Sequence, residues 1–136
     1  MRKLFHFDCQ QEVYQADACV ISCFDARFDL PLRKFLKRRG IAVYDHVQIP
    51  GSAKPLAAPD RDSDRDFVLA MVRTSLRLHR SRRILLFAHS DCGAYPGVPP
   101  AAIAADAATA AASLRTAEPA IPIETFFCDF DGIYEI

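Results

Sequence analysis

Net charge is what this sequence lacks first: 17 basic and 17 acidic side chains cancel over 136 residues. No overall field therefore draws the chain to nucleic acid or to an acidic membrane surface. No run approaches the ~20 apolar residues needed to cross a bilayer. Met1-Arg2-Lys3-Leu4-Phe5-His6-Phe7-Asp8 starts with basic residues but has no apolar stretch behind them, which argues against a secretory signal. Glycine is scarce, five residues in all, and no glycine-rich phosphate cradle is formed. No cysteine is followed by arginine at the distance a phosphatase loop needs. The five cysteines are odd in number and lack the spacing of a disulfide framework, so they read as reduced thiols in a cytoplasmic protein. Repeats are absent, and the length suits one domain, 1–136, able to bury a core.

What is present is a succession of apolar runs and amphipathic stretches. Ala18 to Ser22 reads as a buried strand. Asp29 before Leu30-Pro31-Leu32 reads as a helix N-cap with proline in the first turn, and Leu32, Phe35 and Leu36 carry that helix to a stop at Gly40. A second strand is expected over Ile41 to Ile49, then a loop from Lys54 to Asp62. Asp64 is the expected cap of a longer helix with the stripe Phe67, Val68, Met71, Val72, Leu76 and Leu78. Ile84 to Ala88 is a third strand ending at His89, Ala101 to Ala117 an alanine-rich helix, and Ile121 to Phe130 a last strand before the Asp131-Gly132 turn and a short apolar tail. Strands alternating with helices predict an α/β fold with a mainly parallel central sheet flanked by helices. Sites in such sheets form beyond the carboxyl ends of the strands, where strand order reverses.

Two signatures begin where predicted strands stop: Cys23-Phe24-Asp25-Ala26-Arg27 and His89-Ser90-Asp91-Cys92-Gly93. If strands two and three flank strand one, the two signatures meet. Cys23, His89 and Cys92 then supply two thiolates and an imidazole, a usual ligand set for one Zn2+ with a free fourth position. An extended backbone past Ser22 would put Cys23, Asp25 and Arg27 on one face, with Arg27 holding Asp25 in a charge-assisted pair. A helix start at Asp91-Cys92-Gly93 would favour the Cys92 thiolate. Zinc with two thiolates and a neutral imidazole is formally uncharged, so it acidifies water less than a three-histidine site; Asp25 is placed to accept the hydrogen bond of the resulting hydroxide. Alternatively Asp25 itself closes the zinc site. Against these readings stand small buried cysteines, a structural Asp25–Arg27 ion pair, or a purely structural zinc.

The paired motifs resemble the Cys-x-Asp-x-Arg and His-x-x-Cys signatures of β-class carbonic anhydrases, and the likeness covers about Ala18 to Tyr95. The resemblance implies the β-carbonic anhydrase fold, zinc on Cys23, His89 and Cys92, a catalytic or gating Asp25–Arg27 dyad, and a homodimer or higher homo-oligomer. The expected reaction is hydration of carbon dioxide to bicarbonate by zinc-bound hydroxide. Carbonyl sulfide or carbon disulfide are alternative substrates, and a non-catalytic zinc-binding protein the alternative role. Where the family shows Arg-Asn-Ala-Gly this chain has Gln48-Ile49-Pro50-Gly51, and it has little room for the family's N-terminal helical arm or longer C-terminal region.

Other candidates are weaker. Gln48 could line a pocket or merely end a strand, and Tyr95 is expected to pack on its loop rather than cover the site. His6, His46 and His79 are conceivable proton shuttles, with His79 expected in solvent. Cys9, Cys19 and Cys128 are expected to be buried. The basic stretches 33–39 and 79–83 suit helix ends and lack the interleaved aromatics of a nucleic-acid face. The alanine-rich helix is read as a subunit contact.

Overall fold

The computed structural model describes residues 1–9 and 11–136. Its elements run β1 (Ala18–Ser22), α1 (Ala26–Arg38), β2 (Tyr44–Gln48), α2 (Lys54–Ala57), α3 (Asp62–Leu78), β3 (Ile84–His89), α4 (Pro100–Ala117), β4 (Ile123–Asp129) and β5 (Gly132–Glu135). The five strands lie in the order β2-β1-β3-β4-β5. The first four are parallel, and β5 returns antiparallel to β4. β1 therefore sends the chain one way to β2 and the chain comes back to β3 on its other side. The strand order reverses between β1 and β3, as the site reading required.

Every residue of β1 and β3 is buried, because helices cover both faces of the sheet. Cys19, Ile21, Leu86 and Ala88 face α2, α3 and α4 through Leu56, Val72, Ile103 and Leu114. Ala18, Val20, Leu85 and Phe87 face α1 through Leu32 and Leu36. Full burial of a leucine of this kind contributes roughly 1.5–3 kcal/mol, which is why continuous apolar runs hold these strands in place. No helix among the described residues is long and apolar enough to cross a membrane.

Several expectations shift. Asp25, not Asp29, caps α1: its backbone is extended and its carboxylate accepts from the Arg27 N–H at 3.0 Å. Asp29 sits inside the first turns and pairs with Arg33 at 2.8 Å. The Gly40 stop holds, with φ of 72° and Gly40 and Ile41 N–H groups returning to the Lys37 and Leu36 carbonyls, a Schellman closure. β2 begins at Tyr44 rather than Ile41, because the Asp17 carboxylate takes the Ala42 and Val43 N–H groups, each at 3.1 Å. The expected loop over 54–62 contains the single turn α2, compatible with proline in a first turn.

Helix α3 begins at Asp62, before the expected cap Asp64, whose carboxylate takes Arg61 at 3.0 Å. Phe67 and Leu78, expected on the apolar stripe, are mainly exposed. The last expected strand is trimmed to Ile123–Asp129, and the apolar tail is a strand of its own. In α4, Ala107, Ala110 and Ala111 are buried against the chain's own sheet and α2. These buried alanines bring α4 close to its own neighbours, so they do not call for a partner subunit.

Candidate metal centre

The loops after β1 and β3 bring Cys23, His89 and Cys92 together, with their ligand atoms all within 4.8 Å of one another. The two sulfurs are 3.9 Å apart. Zinc–sulfur bonds of about 2.3 Å at tetrahedral angles would set sulfurs about 3.8 Å apart, so the spacing fits that ion. His89 and Cys92 are buried and Cys23 is half-buried.

The histidine supplies the sharper test. His89 Nδ1 lies 2.8 Å from the Ser90 carbonyl oxygen, which can only accept, so Nδ1 carries the proton. Nε2 is then the lone-pair nitrogen; it is buried and, among the described residues, makes no hydrogen bond of ordinary geometry, with the Cys23 thiol as its polar neighbour. A buried acceptor left unpaired costs free energy on the order of 1–3 kcal/mol, and a cation among two sulfurs and this nitrogen would satisfy it. A carbonyl behind the distal nitrogen is also the usual way to fix a ligating imidazole. Phe28 packs on the ring, centroids 4.6 Å apart, and Ser90 Oγ donates to Asp129 Oδ1 at 2.7 Å, anchoring the loop to the end of β4.

The thiols differ. Burial pushes the Cys23 thiol up, but His89 and the backbone N–H groups of Gly51 and Asp25 outweigh it and bring it down to about 7. Burial holds Cys92 above the ordinary thiol range, and the neighbouring Cys23 adds to this. The expected helix start at Cys92 is not there: residues 90–95 form turns, with Asp91 at φ 51° and Tyr95 N–H on the Cys92 carbonyl, and α4 begins only at Pro100. A helix terminus therefore does not assist Cys92. Gly51 approaches the site closely; at φ 70° a Cβ there would lie 2.9 Å from Ala94 Cβ, so glycine is required for both conformation and space.

Asp25 and Arg27 meet as expected, though not by strand alternation. Asp25 is the last extended residue and Arg27 the second of α1. Arg27 Nε spans both Asp25 oxygens at 3.0 and 3.1 Å, and Nη2 reaches Oδ2 at 2.7 Å. This fork holds the Asp25 carboxyl down at about 2. Arg27 also reaches Asp91, with Nη1 to Oδ2 at 2.8 Å and Nη2 to the Asp91 carbonyl at 3.0 Å. Sequence reading missed this link, which joins residues 64 apart; Asp91 was visible inside the motif but its reach was not. With its carboxylate turned to Arg27, Asp25 stands outside the cluster of donor atoms.

An open cleft of about 520 Å³ runs beside the cluster, lined by Phe24, Asp25, Pro50, Gly51, Cys92 and Ala94. Behind Cys23 and His89 a small cavity of about 10 Å³ is walled mainly by apolar groups, including Phe28, Leu32 and Phe87. Gln48 is exposed at the end of β2 and lines neither space. Tyr95 is buried, its ring lying against Gly51. Among the histidines, His6 is exposed near Asp8 and His46 Nε2 is 2.7 Å from Ser22 Oγ. His79, expected in solvent, instead donates from Nδ1 to Asp45 at 2.9 Å and packs on Tyr14. Cys19 and Cys128 are buried as expected, whereas Cys9 is exposed on the N-terminal segment.

A family model described as "Putative carbonic anhydrase" matches residues 13–135. The chain belongs to that family. Solved carbonic anhydrases share its fold. The enzyme from Streptococcus mutans superposes with a TM-score of 0.68 at 16% identity, covering 96% of this chain and 88% of that one. The β-carbonic anhydrase isoform I of Trichomonas vaginalis gives 0.67 at 11% identity, covering 96% and 87%. A carbonic anhydrase from Glaciozyma antarctica gives 0.61 at 16%, covering 91% and 84%. At these identities the likeness is one of fold. No curated protein sequence matches the chain. The carbonic anhydrase-like sheet thus carries a Cys-His-Cys group able to hold a metal at its switch point.

Proposed function

We propose that this carbonic anhydrase-like chain, acting as one domain, is a zinc lyase that hydrates carbon dioxide reversibly to bicarbonate. The observation that carries the reading is the unpartnered, buried His89 Nε2 facing two thiols at zinc spacing while Arg27 holds Asp25 aside. Cys23, His89 and Cys92 would hold the ion. When bound, zinc supplies a Lewis acid that makes a water nucleophilic near neutral pH.

The chain's own groups do the rest. The Ser90 carbonyl keeps the His89 proton on Nδ1 and so keeps Nε2 available to the metal. Asp25 offers about four acceptor sites. The Arg27 backbone N–H, Nε and Nη2 occupy them as a fork in which Nε is shared between the two oxygens, so drawing Nε onto one oxygen would free a position for the nucleophilic water. With its carboxyl near 2, Asp25 stays charged through the neutral range and orients that water without taking its proton outright. Arg27 fixes the carboxylate's plane. Two thiolates and a neutral imidazole cancel the charge of zinc, so an external acceptor of this kind is needed more than it would be with neutral ligands. The cleft walls at Phe24, Pro50 and Ala94 are apolar and suit a small linear substrate without polar handles. A homo-oligomer belongs to the reading, with Phe24, largely exposed at the cleft, as a residue a second subunit would cover.

The test is stopped-flow carbon dioxide hydration on protein of measured zinc content, with Asp25→Asn beside the wild type. Asp25→Asn should keep its zinc and lose roughly 100-fold or more in kcat, the usual scale for a positioned acid–base group. Full activity in that variant refutes the role of Asp25. A zinc-loaded but inactive wild type moves the chain to another substrate or to a non-catalytic zinc-binding role.

A further inference from the structure

We propose that Asp91 is a positioning residue, which grips Arg27 from the opposite loop and thereby fixes the stance of Asp25. The proposal rests on the hydration reading and extends it to a residue that is neither a metal donor nor a partner of Asp25.

The geometry at Asp91 is unusual for a non-glycine residue: φ is 51°, in the left-handed region. Aspartate tolerates that conformation better than most residues. The consequence is that one residue offers Arg27 both of its acceptors. The carboxylate takes Nη1 at 2.8 Å, and the backbone carbonyl takes Nη2 at 3.0 Å. On its other side the same guanidinium forks onto Asp25. The rings of Phe28 and Phe130 lie 5.8 and 5.4 Å from its central carbon. Arg27 is therefore held by groups from the loop after β1, the loop after β3 and the end of β4.

Asp25 and Arg27 sit two residues apart on the segment that carries Cys23, so their mutual pairing does not tie that segment to the second loop, which carries His89 and Cys92. Asp91 does, because it is next to Cys92. Its carboxylate is 72% exposed and Arg27 47%, and exposed ion pairs add little to folding stability. The grip is thus expected to show in geometry and turnover rather than in the melting temperature. It also leaves Arg27 a counter-charge whenever Asp25 turns away.

Two substitutions separate backbone from contact. Asparagine accepts the left-handed conformation and keeps a neutral acceptor for Nη1; glycine accepts the conformation at no steric cost but offers no side chain. If Asp91 only fills a left-handed turn, Asp91→Gly should match the wild type. If the grip matters, turnover should fall in the order aspartate, asparagine, glycine. Because a displacement of about 1 Å in a reacting group can cost about 100-fold, a tenfold loss of kcat in Asp91→Gly, with KM little changed, is the expected size.

The measurement uses zinc-loaded protein throughout: zinc stoichiometry, thermal midpoint, hydration kinetics, and hydrogen exchange of the Arg27 Nε–H followed by nitrogen-15 NMR. The expected result is unchanged zinc content and midpoint, with Arg27 Nε–H exchange accelerated modestly in Asp91→Asn and strongly in Asp91→Gly, parallel to the fall in kcat. Wild-type exchange and turnover in Asp91→Gly overturn the proposal. A wild type without hydration activity defeats the functional reading instead; the Arg27 resonance still decides whether Asp91 holds the guanidinium.

Discussion

The two ends of this sheet are furnished with the same side-chain types. At the carboxyl ends of β1 and β3 stand Cys23, Asp25 and His89; at the opposite end, near the starts of β1 and β2, stand Cys19, Asp45 and His79. At the second end the groups satisfy one another. Tyr14 donates to Asp45 at 2.6 Å, His79 donates to it at 2.9 Å, and Ser75 and Ser81 pair in the interior at 2.5 Å. The segment before β1 is docked there, through Ala16 N–H on the His79 carbonyl and Asp17 N–H on that of Val43. Burial pushes the Cys19 thiol up to about 11, which makes it an inert core residue. At the first end a thiol is brought down to about 7 and a buried nitrogen makes no hydrogen bond of ordinary geometry. Residue type therefore does not distinguish a site from a staple; an unmet nitrogen lone pair set beside two thiols does.

The largest expected effect breaks the first end while sparing the second. Cys92→Ser should reduce zinc from one per chain to a small residue, measured by atomic emission, and abolish hydration. Cys19→Ala should keep full zinc and cost only about 1 kcal/mol in urea unfolding, the scale of a small vacated volume. Equal zinc loss in both variants would mean that the two cysteines share one role. Asp25→Asn comes next in size and the Asp91 series after it, since both leave the ligands in place and disturb only what surrounds them.

Much of this contrast was legible in the sequence. Strands covered on both faces are continuous apolar runs, so β1 and β3 could be read nearly to the residue, and the motifs sit where those runs end. The same signal fails for β5, whose four residues are too few to show a pattern and whose strand is defined by its antiparallel pairing with β4. Asp29 before Leu30-Pro31 imitates a cap and sets the expected start of α1 too late, whereas the true cap is Asp25, whose place in the first signature points to chemistry instead. Under the proposed function one carboxylate performs both tasks. The Arg27–Asp91 and His79–Asp45 contacts depend on which strands become neighbours. No local spacing encodes that order, so the sequence places His79 in solvent and shows Asp91 in its motif without its reach to Arg27.

The smallest effect sharpens the comparison from the other side and concerns pH. Burial works to raise the Asp45 carboxyl, but hydrogen bonds from Ser75, Tyr14 and His79 outweigh it and hold the carboxyl below its ordinary 3.8. A carboxylate depressed in the folded state contributes stability that is fully present above its unfolded pKa and is lost as pH falls through the folded value. Asp45→Asn keeps one acceptor oxygen for these donors, so at neutral pH it should cost about 1 kcal/mol, the net worth of a typical hydrogen bond. Below about pH 4 the wild type should lose that advantage, and the two urea-unfolding curves should converge. Release of any bound zinc at low pH would affect both proteins alike and drop out of the difference. Curves that stay parallel to pH 2 would show that the amino-end network is held by packing of Tyr14 on His79 rather than by the charge of Asp45. Convergence, with zinc content equal in both proteins at neutral pH, would establish that the charge of Asp45 anchors the amino-end network, a task distinct from the one proposed for Asp25 at the other end.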